Sequence, residues 1–169
     1  MNPPRPVICN TTLLSNFAVI DRVDLLSRAL ARPLFTTPEV IDEISAGVQA
    51  GYAHLVALES LLLSVHSPFV IVSILPDELS TFRDVRLRLH AGEASCLAIA
   101  FQRKYILGTD DLAARKAAQT KNVPVTGTIA TLALCHHGLL SLEEANRLLQ
   151  DMISAGYRSP VTCLDSFWK

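Results

Sequence analysis

The stretch Tyr105-Ile106-Leu107-Gly108-Thr109-Asp110-Asp111-Leu112-Ala113-Ala114-Arg115 decides the fold class. Its first half is a short apolar run, too brief for a buried helix. After the paired acids the pattern changes to a helical period. The spacing predicts a strand over 105–109 and a helix over 111–121, opened by Asp110. Pro6-Val7-Ile8-Cys9 makes the same junction near the start of the chain. It predicts a strand ending at Asn10, then one helical stretch with Leu13, Leu14, Phe17, Ile20, Leu25 and Leu26 on its apolar side. Short apolar runs alternating with helical segments predict an α/β fold, with a central parallel sheet flanked by helices.

Further along the chain the same alternation continues. Leu34-Phe35-Thr36 reads as a strand, followed by Thr37 as an N-cap with Pro38 at the first helical position. That helix is expected to stop at Gly47, a natural residue for a helix end. A second helix is expected over 51–62, a strand over 69–75, and a strongly apolar helix over 92–103. Val123-Pro124-Val125 reads as a last strand and 129–137 as a helix. Ser141 and Glu144 have the spacing of a capping box for a final helix ending at Gly156. The segment 157–169 shows no period.

Half of the 169 residues are apolar, 18% are charged, and the formal net charge is −1. The apolar share excludes intrinsic disorder. The charge balance excludes a polybasic nucleic-acid binder held by bulk electrostatics, and disfavours a polybasic membrane anchor. One domain is expected at this length, over 1–169, with its core at about 7–157 and a tail at 158–169. The four cysteines have no CxxC spacing and fit no zinc pattern with histidine, so reduced thiols are expected. The longest stretch free of charged residues, 122–142, contains Pro124, Gly127 and Gly138, which argues against a membrane span. Met1 to Pro6 holds three prolines and no apolar run, unlike a signal peptide. The expectation is a cytoplasmic protein.

Ligands of open parallel sheets bind beyond the carboxyl ends of the strands. Asn10, Asp110 and Asp111 follow strands directly. Glu43 lies in the helix after a third strand, and Glu93 in the first turn of the apolar helix. One amide and four carboxylates are an oxygen-only set, suited to Mg²⁺ or Mn²⁺. Each also has a plainer reading: Asn10 as a turn or cap residue, Asp110 as an N-cap, Glu93 and Asp111 as dipole partners at helix starts, Glu43 as a solvated neighbour of Asp42.

The motifs around these residues resemble those of PIN-domain ribonucleases. Val7-Ile8-Cys9-Asn10-Thr11-Thr12-Leu13-Leu14 resembles the opening motif, and Thr37-Pro38-Glu39-Val40-Ile41-Asp42-Glu43-Ile44 the second. Gly92-Glu93-Ala94-Ser95-Cys96-Leu97-Ala98 resembles the third, with Glu93 in place of the more usual Asp. The stretch from Ile106 to Arg115 resembles the fourth, with Asp110 as its acid. Val125-Thr126-Gly127-Thr128 resembles a Gly-Thr turn found in one branch of predicted nucleic-acid-binding PIN proteins. Asn10 departs from the Asp usual in the wider superfamily.

The resemblance covers Val7 to about Tyr157 and implies a Rossmann-like PIN fold. It implies Mg²⁺- or Mn²⁺-dependent hydrolysis of RNA, leaving 5′-phosphate and 3′-hydroxyl ends, with Asn10, Glu43, Glu93 and Asp110 catalytic and Asp111 completing the metal shell. It also implies a toxin of the VapC kind, with a cognate antitoxin protein and a homodimer. Thr11, Thr12, Ser15, Arg115 and Thr128 are the candidate substrate contacts. For Arg115 the alternative is an i,i+4 pair with Asp111; for the hydroxyl residues it is helix capping. The basic group Arg83, Arg86, Arg88, Arg103 and Lys104 can track an RNA backbone or form a solvated face. His136 and His137 fit a helix C-terminus better than proton transfer. The alternative function is a PIN-fold binding module impaired in catalysis by the uncharged Asn10.

Overall fold

The computed structural model describes residues 3–169; Met1 and Asn2, the first two residues of the proline-bearing N-terminus, lie outside the described residues. Five parallel strands form one sheet: β1 (Val7–Cys9), β2 (Leu34–Thr36), β3 (Phe69–Ile71), β4 (Ile106–Gly108) and β5 (Val125–Thr126), in the order β3-β2-β1-β4-β5. β1 is buried throughout, and so are its neighbours in the core, Leu34 and Leu107. Strands buried on both faces need such unbroken apolar runs.

Among the described residues nine α-helices surround the sheet: α1 (Thr11–Ala18), α2 (Asp24–Leu30), α3 (Pro38–Gln49), α4 (His54–Leu63), α5 (Leu79–Arg86), α6 (Ala91–Arg103), α7 (Leu112–Thr120), α8 (Thr128–Leu134) and α9 (Leu142–Ser154). α6 is the central one. Gly92 through Ala100 are all buried, and the helix packs on β1 and β4 and on α3, α5 and α7. α1 packs against α3, α4 and α8. No helix among the described residues is long and apolar enough to cross a membrane.

Several boundaries differ from the sequence reading, each for a local reason. The first helical stretch is two helices: the chain turns between them, with Asp21 in the left-handed region at φ 55°. α3 runs past Gly47 to Gln49. Gly47 is small because a Cβ there would collide with the Leu55 side chain of α4. The positive φ that ends this segment belongs to Gly51, at 96°. β3 stops at Ile71 rather than reaching 75, because β2, its only partner among the described residues, is three residues long. Val70 and Ile71 on this edge are exposed.

The strand order places the reversal of winding between β1 and β4, which pair in register from Val7–Ile106 to Cys9–Gly108. The chain leaves β1 through Asn10 and leaves β4 through Thr109 and Asp110. Residues a hundred positions apart in sequence therefore meet at one sheet edge, where ligands of this architecture bind.

Candidate active site

Asn10 is fully buried and spends its side chain on structure. Its Oδ1 caps α1, accepting from the Leu13 N–H at 3.4 Å and from the Thr12 hydroxyl at 2.8 Å. Its Nδ2 donates to Thr109 Oγ1 at 2.6 Å. The two strand exits are tied further by hydroxyls: Asp110 N–H donates to Thr12 Oγ1 and Asp111 N–H to Thr109 Oγ1, both at 3.1 Å. Thr12 is thus a link between the exits. Thr11 Oγ1 donates to Glu43 Oε2.

Asp110 is not the cap of α7. That role falls to Asp111, whose Oδ1 accepts from Ala114 N–H at 2.7 Å. Asp110 turns instead towards the start of α8. Its Oδ1 accepts from Thr128 N–H at 2.9 Å, and its Oδ2 from Thr128 Oγ1 at 2.6 Å and Asn16 Nδ2 at 2.9 Å. The Tyr157 hydroxyl donates to Oδ1 at 3.4 Å. Burial, with the Asp110 carboxylate beside it, holds that phenol well above its usual range. Gly127 makes this packing possible: a Cβ there would lie 2.6 Å from Asp110 Oδ1 and 3.0 Å from Arg115 Nη1.

Glu43 and Glu93 meet at the start of α6. Gly92 N–H donates to Glu43 Oε1 at 2.8 Å, and His90 N–H to Glu93 Oε2 at 3.1 Å. Gly92 too is a close-approach glycine, since a Cβ would fall 2.5 Å from Glu43 Oε2. Burial first, and then the neighbouring Asp111 and Glu43 carboxylates, hold the Glu93 carboxyl above its usual range, against the His90 hydrogen bond. Glu93 thus feels Asp111 and Glu43 as like charges. One turn before Glu43, the Oε2 atom of Glu39 is buried with no hydrogen-bond partner.

The donor chemistry fits a hard divalent cation. The ligand atoms on offer are oxygens, and none of the ion pairs among the described residues involves Glu43, Glu93, Asp110 or Asp111. The buried, unpartnered Glu39 oxygen adds to this deficit of positive charge. Among the described residues no three acidic, His or Cys side chains converge tightly enough to ligate one ion directly. Mg²⁺ tolerates that, since it usually keeps several waters and takes only one or two carboxylates.

Other expected contacts resolve differently. Ser15 faces away from the acids and meets His54 Nε2 at 3.2 Å. Arg115 does not pair with Asp111; its Nη1 donates to Thr109 O at 2.9 Å. Thr128 is buried, so its hydroxyl serves Asp110 and not solvent. Arg103 is withdrawn from the basic group by a two-pronged pair with Glu78, at 2.5 and 2.9 Å. His136 Nδ1 lies 2.7 Å from Ala133 O at the end of α8. Asn16, Thr109 and Tyr157 also belong to the site, though none is among the candidate site residues that the sequence singles out. Asn16 sits one turn past Thr12 on α1, a spacing that carries the signal; Tyr157 lies in an aperiodic stretch that carries none.

The model of the family DUF3368, described as a PIN domain, matches residues 6–169. No curated protein and no solved structure matches the chain.

Proposed function

We propose that this chain, which belongs to the PIN-domain family over residues 6–169, is a divalent-metal-dependent endoribonuclease and the toxin of a toxin–antitoxin pair. PIN membership points to a nuclease, a hydrolase acting on nucleic acid. The observation that carries the finer reading is the uncompensated group of carboxylates, Glu43, Glu93, Asp110 and Asp111, at the reversal between β1 and β4.

When bound there, Mg²⁺ or Mn²⁺ supplies an activated water and charge stabilisation at the leaving oxygen. The chain's own residues supply the frame. Asn16, Thr128 and Tyr157 fix both oxygens of Asp110 in one orientation. Gly92 N–H and the Thr11 hydroxyl aim Glu43 at the start of α6. Asn10 aligns the two strand exits through Thr109 and Thr12. The position is therefore structural first, and a neutral amide serves it. Glu93, crowded by two carboxylates, is the group that most gains from a cation.

Exposed apolar side chains on and after α4, Val56, Leu63 and Val65, support a homodimer or antitoxin contact. A cytoplasmic location goes with the toxin reading.

The test is cleavage of single-stranded RNA by purified protein. Wild type should cut with Mg²⁺ or Mn²⁺ and stop with EDTA, while Asp110→Asn should be silent. Equal rates for the two proteins, or no cutting by wild type with either ion, would sink the proposal.

A further inference from the structure

Beside the acids a cleft of about 670 Å³ opens between the start of α7, the start of α8 and the chain that follows α9. Asp110 and Asp111 close one end of it. Arg115, Tyr157, Arg158 and Pro160 also line it. The position of Arg158 is set by helix-end chemistry. Gly156 takes φ 111°, its N–H bonds to Ile153 O at 3.0 Å, and Tyr157 N–H bonds to Met152 O at 2.9 Å. This pair of bonds turns the chain back sharply after α9. The Tyr157 hydroxyl then reaches Asp110, so Arg158 follows directly on an anchored residue.

Arg158 is exposed and makes no hydrogen bond or ion pair among the described residues. Arg115 uses one of its donors, Nη1, on Thr109 O. A guanidinium carries five N–H donors, so most of its binding capacity is uncommitted. Two arginines with free donors, lining one cleft together with two carboxylates, suit a polyanion that approaches a cation site. The arginines offset the repulsion its phosphates meet from the acids. The lining between them is apolar, with Leu112 73% exposed at the lip. So large an apolar side chain standing free beside charged groups offers a flat nucleobase a surface to cover. The volume falls in the range of small-ligand sites, about 300–1,000 Å³, enough for one nucleotide unit.

Building on the nuclease reading, we infer that this cleft holds the nucleotide adjoining the scissile phosphate of a single strand. Arg158 and Arg115 grip its phosphate, and Leu112, Ile129 and Pro160 lie under its base. Arg158 is the specificity-neutral grip; the apolar floor requires the base to be unpaired.

The experiment is fluorescence anisotropy with labelled mixed-sequence oligonucleotides, RNA and DNA, in EDTA across a salt series. It compares wild type, Arg158→Gln and Arg32→Gln. Arg32 is exposed and lies before β2, at the opposite end of the sheet. Arg158→Gln should weaken single-strand binding about fivefold on every sequence. It should lower the salt slope by about 0.7, the share of one phosphate contact. Arg32→Gln should change neither, and thermal melts of all three should coincide. Wild-type affinity and slope in Arg158→Gln, or the same loss in Arg32→Gln, overturns the inference. If wild type still cleaves RNA in that case, the nuclease reading survives. A wild type that neither binds nor cleaves removes both. Tighter binding of RNA than DNA assigns the strand chemistry to a 2′-hydroxyl contact, and equal binding to the phosphate and base alone; both support the cleft.

Discussion

Thr128 donates twice to Asp110, through its backbone N–H to Oδ1 at 2.9 Å and through its hydroxyl to Oδ2 at 2.6 Å. The first residue of α8 thereby sets the direction of the acid that follows β4. A hydroxyl buried against a carboxylate is costly to remove, because the acceptor loses a charge-assisted hydrogen bond. Thr128→Val keeps the shape and deletes the hydroxyl. It should cost about 1–3 kcal/mol in urea unfolding, while Thr128→Ser should restore most of it. A Val variant as stable as wild type would show that the bond carries little.

Gly127 and Gly92 make parallel predictions on opposite sides of the site. A Cβ at Gly127 lands 2.6 Å from Asp110 Oδ1, and one at Gly92 lands 2.5 Å from Glu43 Oε2. Neither glycine has a positive φ, so the backbone itself accepts alanine. Gly92→Ala and Gly127→Ala should therefore fold, destabilised by about 1–3 kcal/mol from overpacking, with cleavage lost out of proportion to stability. Circular dichroism and the cleavage assay on the same preparations separate the two effects. Full activity in either variant would mean that the displaced carboxylate is not used.

Away from the site, Glu78 is 1% exposed and bonded by Arg103 at 2.5 and 2.9 Å and by the Leu75 N–H at 2.7 Å. Burial opposes its ionisation, yet the Arg103 guanidinium and the Leu75 N–H hold its carboxyl below the usual range. A depressed carboxylate adds stability that is present above its unfolded value and is lost as pH falls through the folded one. Glu78→Gln should cost about 3 kcal/mol at pH 7. The difference from wild type should shrink as the pH is lowered through and below the carboxylate range. A difference that stays constant through and below that range would show that charge plays no part.

The thiols divide by burial. Cys9, Cys96 and Cys135 are buried, and Cys163 is exposed. Burial pushes the Cys9 thiol up to about 12 and the Cys135 thiol to about 11, which starves them of thiolate. A thiol reagent should titrate one cysteine in the native protein and all four in denaturant. Fast modification of Cys9 or Cys96 in the native protein would contradict the packing of the sheet against α6.

Strand runs such as Val7-Ile8-Cys9 and Tyr105-Ile106-Leu107-Gly108-Thr109 declare themselves because a buried parallel strand has no polar face to hide. The ends of elements were harder to read. Gly47 resembles a helix end in sequence, yet its smallness serves the approach of Leu55, a contact that only the tertiary structure reveals. Asp110 and Asp111 are legible because they follow a strand, Glu93 because it lies in the first turn of a helix, and Glu43 because its helix follows a strand. Their partners are not. Asp110 and Asp111 are adjacent and chemically alike, and only the packing of Gly127 against the first decides which caps α7 and which turns to α8. Tyr157 joins the site through the turn after α9, where no period points to it.

The central claim is that this acidic group holds a divalent cation, and crystals soaked in Mn²⁺ test it most directly through the anomalous signal. The account predicts a peak against Glu93, with Glu43, Asp110 or Asp111 as its further neighbours. It also predicts that the peak vanishes in Glu93→Gln crystals soaked alike. Wild-type crystals with no peak in this group, or with Mn²⁺ bound only elsewhere, would contradict it.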